Sequence, residues 1–457
     1  MRKLFLPIVF ACSLPALTMA QQSDSLMLRR IADEVLTHSP AYENLRTLTK
    51  KIGGRLAGSP QMAKAEKWGV EALKVAGADT VYLQECMVPH WVRGAREEAR
   101  IISRRRDFVP PLQVLALGNS VGSSPAGVTA PVLEVTSFDD LEAKKDHVKG
   151  KIVFYNYPFN PTFIKTFHAY GDAVQYRGQG ASRAAKYGAV AVIVRSMSHS
   201  TDNYPHTGAM TYDSAYPKIP AVAIGLKDAE RLSLRVKDDP SAQVFLRTNC
   251  RMLPDTIGHN VIAELRGSKY PDQYITVGGH LDSWDVSEGA QDDGAGCVQS
   301  IEVLRAFKAL GIQPARTLRV VLFANEENGT RGARKYAAEA KARNEKHIFA
   351  LESDAGGFTP RGFSSTMDAD KKAIMISWKP LFEPYGLHDF EEPGGGTDVG
   401  QLHQALGTPM AELYPDSQRY FDIHHAPNDV FEGVNKRELE LGAFGMAGLI
   451  YMVDLNF

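Results

Sequence analysis

Side chains that can carry chemistry are concentrated in residues 277–296, which read VGGHLDSWDVSEGAQDDGAG. His280, Asp282 and the pair Asp292 and Asp293 lie among glycine and alanine residues that are too small to shield them. Crowded carboxylates repel one another unless a cation neutralises them. The segment therefore indicates either acids on an exposed helix or a site that holds a dication.

Two further groups of acids follow apolar runs later in the chain. Glu326 and Glu327 come directly after TLRVVLFAN, and Asp354 comes after HIFALES, just as His280 comes after YITVGG. Because ligands bind at the carboxyl ends of strands in open α/β sheets, we expect these side chains to meet at one edge of a sheet. Either pair of acids alone is typical of a helix start. Carboxylates and imidazole arriving together favour zinc or a similar dication.

Several segments resemble the motifs of the di-zinc aminopeptidase family. They are GGHLDSWDVSEGAQDDGAG, FANEENGTRGARKY, ESDAGG and IHHAPNDV. With GGRLAGSP near residue 53 they occur in the family's order, and the resemblance extends to the C-terminus. It implies a phosphorylase/hydrolase-like α/β sandwich that carries two zinc ions.

The resemblance also implies a set of metal ligands. Asp292 would bridge the two ions. His280 and Asp354 would complete the coordination of one ion, and Glu327 and His425 that of the other. A shared carboxylate of this kind is needed because two dications about 3.5–4 Å apart repel each other.

Neighbouring residues would support this ligand set. By resemblance, Glu326 is the general base that takes a proton from a metal-activated, bridging water, and a base of this kind cannot also be a ligand. Asp282, two residues after His280, would hold that imidazole in one tautomer. Of the adjacent glutamates, Glu326 would therefore be the base and Glu327 the ligand. This is possible because neighbouring side chains at a strand end point in different directions.

Other positions admit two interpretations. Of the histidines in HHAPND, we select His425 as the ligand because Asp429 follows it by four residues, as in the family, and this leaves His424 for packing. Asp398, in the turn EEPGGGTDVG, is a candidate contact for the substrate amine, with a plain surface turn as the alternative. Trp284 is a candidate wall of the substrate pocket, with packing as the alternative.

The elements that must position these residues are strands that alternate with helices after Gly258. The apolar runs NVIAELRG, YITVGGH, TLRVVLFAN and HIFALESD are separated by predicted helices over 294–310 and 330–344. Such alternation indicates βαβ units. We therefore expect an α/β fold with a mostly parallel or mixed central sheet flanked by helices.

A second α/β unit interrupts this pattern. Residues 125–250 contain buried-strand runs such as GKIVFYNYP and VAVIVRSM, but no cluster of acids with histidine. The unit resembles the protease-associated insertion of the family, which implies a lid whose loop 197–217 faces substrate; a purely structural insert is the alternative. The predicted organisation is a signal peptide (1–20), the first part of the peptidase domain (21–124), the insert (125–250) and the main part of the peptidase domain (251–457).

Composition places the chain among folded globular proteins. It has 457 residues, of which 44% are hydrophobic and 23% charged, and its net charge of −1 gives no indication of nucleic-acid binding. Residues 1–20 are typical of an export signal, and no other segment is apolar over about 18 residues, so we expect a soluble periplasmic or secreted protein without a membrane span. The charged segment 94–107 is interpreted as solvent-exposed surface.

Three cysteines remain after processing, Cys86, Cys250 and Cys297. They allow at most one disulfide, and buried free thiols are favoured.

These observations predict an exported di-zinc metallo-exopeptidase that hydrolyses dipeptides or short peptides with a free N-terminus. No motif contains an arginine or lysine that demands a free C-terminus, so aminopeptidase and dipeptidase action both stay open, and the resemblance favours the dipeptidase. The alternatives are a single-zinc acyltransferase similar to glutaminyl cyclases and a non-catalytic scaffold similar to receptor ectodomains. The complete ligand set argues against both. The resemblance also implies a homodimer.

Overall fold

The computed structural model describes the backbone of residues 14–103 and 109–457, and side chains from residue 23 onward. Most of the predicted signal peptide, residues 1–20, lies outside this part of the chain. Among the described residues, no helix combines the length and the apolar character that a membrane crossing requires.

The described chain contains both strands and helices, which alternate most regularly between β10 and β12. The strands are β1 (Thr80–Val92), β2 (Glu98–Ile102), β3 (Val114–Ala116), β4 (Val128–Val135), β5 (Ile152–Tyr155), β6 (Ala191–Arg195), β7 (Ala221–Ile224), β8 (Gln243–Arg247), β9 (Arg251–Leu265), β10 (Tyr270–His280), β11 (Arg316–Phe323), β12 (Lys346–Glu352), β13 (Pro360–Thr366) and β14 (Met410–Pro415). The helices are α1 (Leu14–His38), α2 (Ala41–Thr47), α3 (Pro60–Val75), α4 (Phe138–Ala143), α5 (Thr166–Ala185), α6 (Leu226–Asp238), α7 (Ala295–Leu310), α8 (Arg331–Ala342), α9 (Ala369–Ser377), α10 (Lys379–Phe382), α11 (Thr397–Leu406) and α12 (Lys436–Asn456).

The first sheet is mixed and carries the strands that the motifs follow. Its order is β1-β9-β11-β10-β12-β14-β13, with β11, β10, β12 and β14 parallel to one another and the other pairs antiparallel. His280 pairs with Phe323 of β11, and Gly278 pairs with Glu352 of β12. The carboxyl ends of three adjacent strands therefore lie level at one edge, as predicted from the sequence.

Helices cover both faces of this sheet because its central strands are apolar on both sides. In β11, Val320 and Leu322 join the core formed with α1, α7 and α12. Val321 and Phe323 point to the opposite face and pack with α8 and α11. Successive side chains of a strand alternate between faces, so the continuous apolar run is that of a strand buried on both sides. The predicted mixed α/β fold is confirmed.

The inserted unit is a second mixed sheet, with the order β2-β8-β4-β5-β6-β7-β3. Two strands that precede residue 125 also belong to this sheet, because β2 pairs with β8 and β3 pairs with β7. The segment 94–107 is consequently not all exposed surface: Ala99 and Ile101 of β2 are buried, while residues 104–108 lie outside the described part. Local charge concealed this strand, whose partner lies about 150 residues away.

Helix α7 approaches the ends of β10 and β12 very closely. A Cβ atom added to Gly296 would lie 1.9 Å from the carbonyl oxygen of Ser353. The Asp293 carboxylate accepts the N–H groups of Gly296 at 2.9 Å and of His280 at 3.0 Å. Only glycine allows the first turn of α7 to sit against both strand ends.

We expect Gly296→Ala to lower the free energy of unfolding by about 2 kcal/mol, because the added methyl group meets main-chain atoms that cannot move aside. Gly400→Ala is the matched control, since Gly400 also lies in a helix and its added Cβ meets nothing within 4 Å. The control should leave stability unchanged or raise it by up to about 1 kcal/mol. Urea unfolding measures both, and equal stabilities of the two variants would contradict the close approach.

Candidate metal centre

All five predicted ligands lie together at the carboxyl edge of the first sheet. His280 is the last residue of β10, Glu327 lies in the turn after β11, and Asp354 follows β12 by two residues. Asp292 precedes α7, and its peptide bond to Asp293 is cis. His425 arrives from the loop between β14 and α12.

Asp292 occupies the middle of the group. Its Oδ1 atom lies 3.2 Å from Nε2 of His280, and its Oδ2 atom lies 3.2 Å from Nε2 of His425. Nε2 of His280 also lies 3.2 Å from Oδ1 of Asp354, and Nε2 of His425 lies 3.1 Å from Oε2 of Glu327. The side chains thus form two groups that share one carboxylate, each with an imidazole and a second acid.

The carboxylate oxygens that could bind metal are buried, and some of them make no hydrogen bond. Asp292 and Glu327 are each 5% exposed. Within the described part of the chain, Oδ2 of Asp292 and Oε1 of Glu327 have no hydrogen-bond partner. A buried anion without a partner is costly, and a dication between the imidazole and the carboxylates would remove this cost. The residues present therefore fit a pair of metal ions with nitrogen and oxygen ligands.

The acids create a strongly negative environment. Burial lowers the pKa of His425, but Glu327 and Asp292 outweigh burial and raise that pKa to about 10. The same competition, with Asp354 and Asp292 as the acids, raises the pKa of His280 above its ordinary value. Burial and the charge of Asp292 raise the pKa of Glu327 to about 7. A negative potential that holds protons on imidazoles is one that attracts cations.

Comparison with known proteins identifies the family of this chain. Residues 260–449 match the model of Peptidase family M28, and residues 122–232 match that of the PA domain. The chain is 38% identical over 413 residues to carboxypeptidase Q of Homo sapiens. The aligned residues cover 90% of this chain and 85% of the human protein. A crystal structure of a Peptidase M28 precursor from Shewanella amazonensis has a TM-score of 0.89 and 34% identity, with 95% of this chain and 97% of that chain covered. The chain belongs to peptidase family M28.

M28 membership confirms the predicted family and the predicted enzyme class, a metallo-exopeptidase similar to carboxypeptidase Q. A zinc aminopeptidase from Bacillus subtilis has a TM-score of 0.64 at 22% identity, with 90% of this chain and 94% of that chain covered. That second likeness shows a shared fold.

The adjacent glutamates of this M28 centre differ in their contacts. Glu327 contacts His425, whereas no ion-pair contact joins the Glu326 carboxylate to either imidazole in the described part of the chain. Burial raises the pKa of Glu326 well above its usual range, and the charges of Asp354 and Glu327 add to that effect. The division between a ligand and a free carboxylate is therefore compatible with the turn after β11.

Asp282 supports the centre through different atoms from those expected. Its main-chain carbonyl oxygen lies 3.0 Å from Nδ1 of His280, whereas its Oδ1 lies 3.7 Å away. The carboxylate instead accepts the N–H groups of Glu326 at 3.0 Å and Glu327 at 3.3 Å. Asp282 thus fixes the turn that presents both glutamates, and the main chain orients the imidazole.

Asp429 has a supporting role that spacing alone did not reveal. Its carboxylate accepts the N–H groups of Gln291 at 2.8 Å and Asp292 at 3.2 Å, which fixes the backbone of the shared acid. Both neighbouring histidines lie close enough to Asp292 to hold a metal ion with it. Nε2 of His424 lies 3.8 Å from Oδ2 of Asp292, further than that of His425, and the two rings stack at 3.5 Å.

The two candidate substrate contacts are both deeply buried. Trp284 is 1% exposed, meets the ring of His425 edge-on at 5.7 Å, and packs so closely that a Cβ on Gly118 would lie 1.9 Å from it. Asp398 lies in the first turn of α11 and is also 1% exposed, so it does not lie in a plain surface turn. Burial raises its pKa well above the usual range, and Glu352 adds to this.

We expect Asp282→Asn to weaken metal binding by roughly 10–100-fold, because one amide nitrogen would face a main-chain N–H group and the glutamate turn would lose an acceptor. Asp370→Asn on the exposed first turn of α9 is the control. Zinc titration against a chromogenic chelator measures the affinity, and gel filtration checks that each variant is folded. Equal affinity of the two variants would show that the glutamate turn does not need this carboxylate.

Proposed function

We propose that this M28 peptidase binds two zinc ions and hydrolyses dipeptides or short peptides that have a free N-terminus. The observation that supports this most directly is the position of Asp292, whose two oxygens face two different imidazoles at 3.2 Å each. One ion would be held by His280, Asp292 and Asp354, and the other by Asp292, Glu327 and His425. When bound, the ions would polarise a peptide carbonyl and lower the pKa of water to about 7.

The residues around the ions supply proton transfer. Glu326 accepts a proton from the attacking water as the water oxygen bonds to the carbonyl carbon. As the C–N bond breaks, Glu326 returns that proton to the nitrogen of the leaving amine. Asp282 holds the main chain of Glu326, so that its carboxylate stays beside the ligands while Glu327 serves as one of them.

Two further residues define the substrate pocket in this proposal. Both carboxyl oxygens of Asp398 are buried and have no hydrogen-bond partner in the described chain, and in this proposal they accept hydrogen bonds from the substrate ammonium group. Trp284 shapes the wall beside His425 through its edge-on contact. The insert, proposed over 125–250, serves as a lid, and its loop 197–217 contacts the His425 loop directly, since Thr207 donates its N–H to the carbonyl of His425.

The similarity to carboxypeptidase Q, at 38% identity, supports action as an exopeptidase. A second relative, the aminopeptidase YwaD of Bacillus subtilis, is 24% identical over 424 residues and keeps aminopeptidase action open. We further propose that residues 1–20 direct export to the periplasm or medium, and that the enzyme forms a homodimer. N-terminal sequencing and light scattering test these two statements.

Glu326→Gln should retain both zinc ions while lowering kcat by about 100-fold or more, because only the proton acceptor is lost. Glu327→Gln, the neighbouring isosteric change, should instead lose zinc, because it removes a ligand. Metal analysis and kcat are measured together on both variants. A Glu326→Gln enzyme with near-normal turnover, or a wild type that holds one zinc ion as glutaminyl cyclases do, would contradict the assignment.

Removal of metal with 1,10-phenanthroline should abolish hydrolysis, and added zinc should restore it.

The substrate class is tested with a panel of dipeptides, longer peptides, and N-acetylated and C-amidated versions of each. We expect N-acetylation to abolish cleavage, because the ammonium group is lost. Cleavage of N-acetylated peptides at the rate of the free ones would overturn the proposed requirement for a free N-terminus.

A further inference from the structure

Residues 206–208 of the inserted unit, here called the strap, contact the loop that carries His424 and His425. Thr207 donates its N–H to the carbonyl oxygen of His425 at 3.0 Å. Nδ1 of His206 lies 2.8 Å from the carbonyl oxygen of His424, where it can donate a second hydrogen bond. The strap therefore holds the main chain of both histidines in the loop that supplies a predicted ligand.

The strap also meets the imidazole of His425 itself. The carbonyl oxygen of Thr207 lies 3.3 Å from Nδ1 of His425, on the opposite side of the ring from Asp292 and Glu327. An Nδ1–H that donates to this oxygen leaves the lone pair of Nε2 free to bind a metal. A main-chain acceptor of this kind commonly orients a ligating histidine.

His425 needs such support because of its backbone. Its φ is +61°, a left-handed conformation that is uncommon outside glycine and costs about 1 kcal/mol or more. Residues in that conformation persist where their surroundings fix them. In contrast with His280 at the end of β10, His425 lies in no strand or long helix, and the strap supplies the hydrogen bond to its carbonyl oxygen.

The strap is in turn anchored in the inserted unit. The hydroxyl of Thr207 donates to the carbonyl of Ala116 in β3 at 2.8 Å, and Gly118 donates its N–H to the carbonyl of Gly208 at 2.9 Å. His206 is 3% exposed and Thr207 is completely buried. The strap is thus a fixed part of the insert rather than a surface loop resting on the peptidase domain.

Gly208 is required by space as well as by backbone conformation. Its φ is +132°, and an added Cβ would lie 2.7 Å from Nδ1 of His425 and 2.4 Å from Nη1 of Arg177. Arg177 closes the same space, with Nη1 3.4 Å from Nδ1 of His425 and 3.5 Å from the Thr207 oxygen. A side chain at position 208 would therefore displace the imidazole from the position in which Nε2 faces the carboxylates.

We propose that His206 and Gly208 are positioning residues for the ion held by His425 and Glu327, so that the insert completes the metal centre as well as covering it. This inference rests on the proposed role of His425 as a ligand. It predicts that disturbing the strap weakens one of the two metal positions and leaves the position of His280 and Asp354 intact.

The inference is tested by titrating the full-length enzyme with two equivalents of metal. Zinc affinity is measured by competition, and the visible spectrum of bound Co²⁺ follows the site of His425 and Glu327, here called the second equivalent. His206→Leu should weaken the second equivalent by roughly 10–100-fold and leave the first unchanged. His206→Asn, whose amide can replace the Nδ1 donor, should recover most of that loss. A general loss of stability would not produce this pattern.

Gly208→Ala should also weaken the second equivalent, whereas Gly150→Ala is its control. Gly150 lies in the same inserted unit, has φ +72°, and an added Cβ there meets nothing within 4 Å. Normal binding of both equivalents by His206→Leu or by Gly208→Ala would overturn the inference. If His206→Leu fails to fold, His206→Asn together with Gly208→Ala decides the outcome. A wild-type enzyme that binds fewer than two equivalents would instead overturn the proposed function.

Discussion

The structure depends on how the buried acids at one sheet edge are satisfied. Some of them accept main-chain N–H groups with both oxygens: Asp282, Asp293, Asp429 and Glu352. Oε1 of Glu327, by contrast, has no hydrogen-bond partner in the described chain, and Oδ2 of Asp292 makes no hydrogen bond there although it lies 3.2 Å from Nε2 of His425. The first set fixes loops, and the second set faces imidazoles. Because a buried carboxylate oxygen without a hydrogen bond is costly, we expect a cation at the second set to stabilise the fold.

Much of this centre could be predicted because its parts follow local patterns. The apolar runs before His280, Glu326 and Asp354 correctly indicated β10, β11 and β12, and parallel strands bring their carboxyl ends together. The positions of β2 and β3 could not be predicted in the same way. Their partners β8 and β7 are distant in sequence, and the charges around β2 resemble those of an exposed surface.

Other features of the site could not be predicted because they depend on which atom of a residue makes a contact, and residue type does not specify this. Spacing predicted a contact between Asp282 and His280, but the sequence does not specify that the carbonyl oxygen makes it while the carboxylate holds the glutamate turn. The strap was also invisible, although the loop 197–217 was expected to approach the active cleft. Thr207 and His425 are 218 residues apart, and they meet only because the second sheet folds against the edge of the first.

The two proposed metal positions are supported unequally. His280 and Asp354 come from the ends of adjacent strands whose register is fixed by the sheet. Glu327 follows a strand by a few residues and is held by Asp282, whereas His425 lies in an irregular loop with a left-handed backbone. A ligand on such a loop is only as well placed as its hydrogen-bond partners, and those partners belong to the insert. The proposed lid is therefore also the unit that limits the freedom of the least supported of the proposed ligands. If both proposals hold, access to the cleft and the geometry of the metal site depend on the same few contacts.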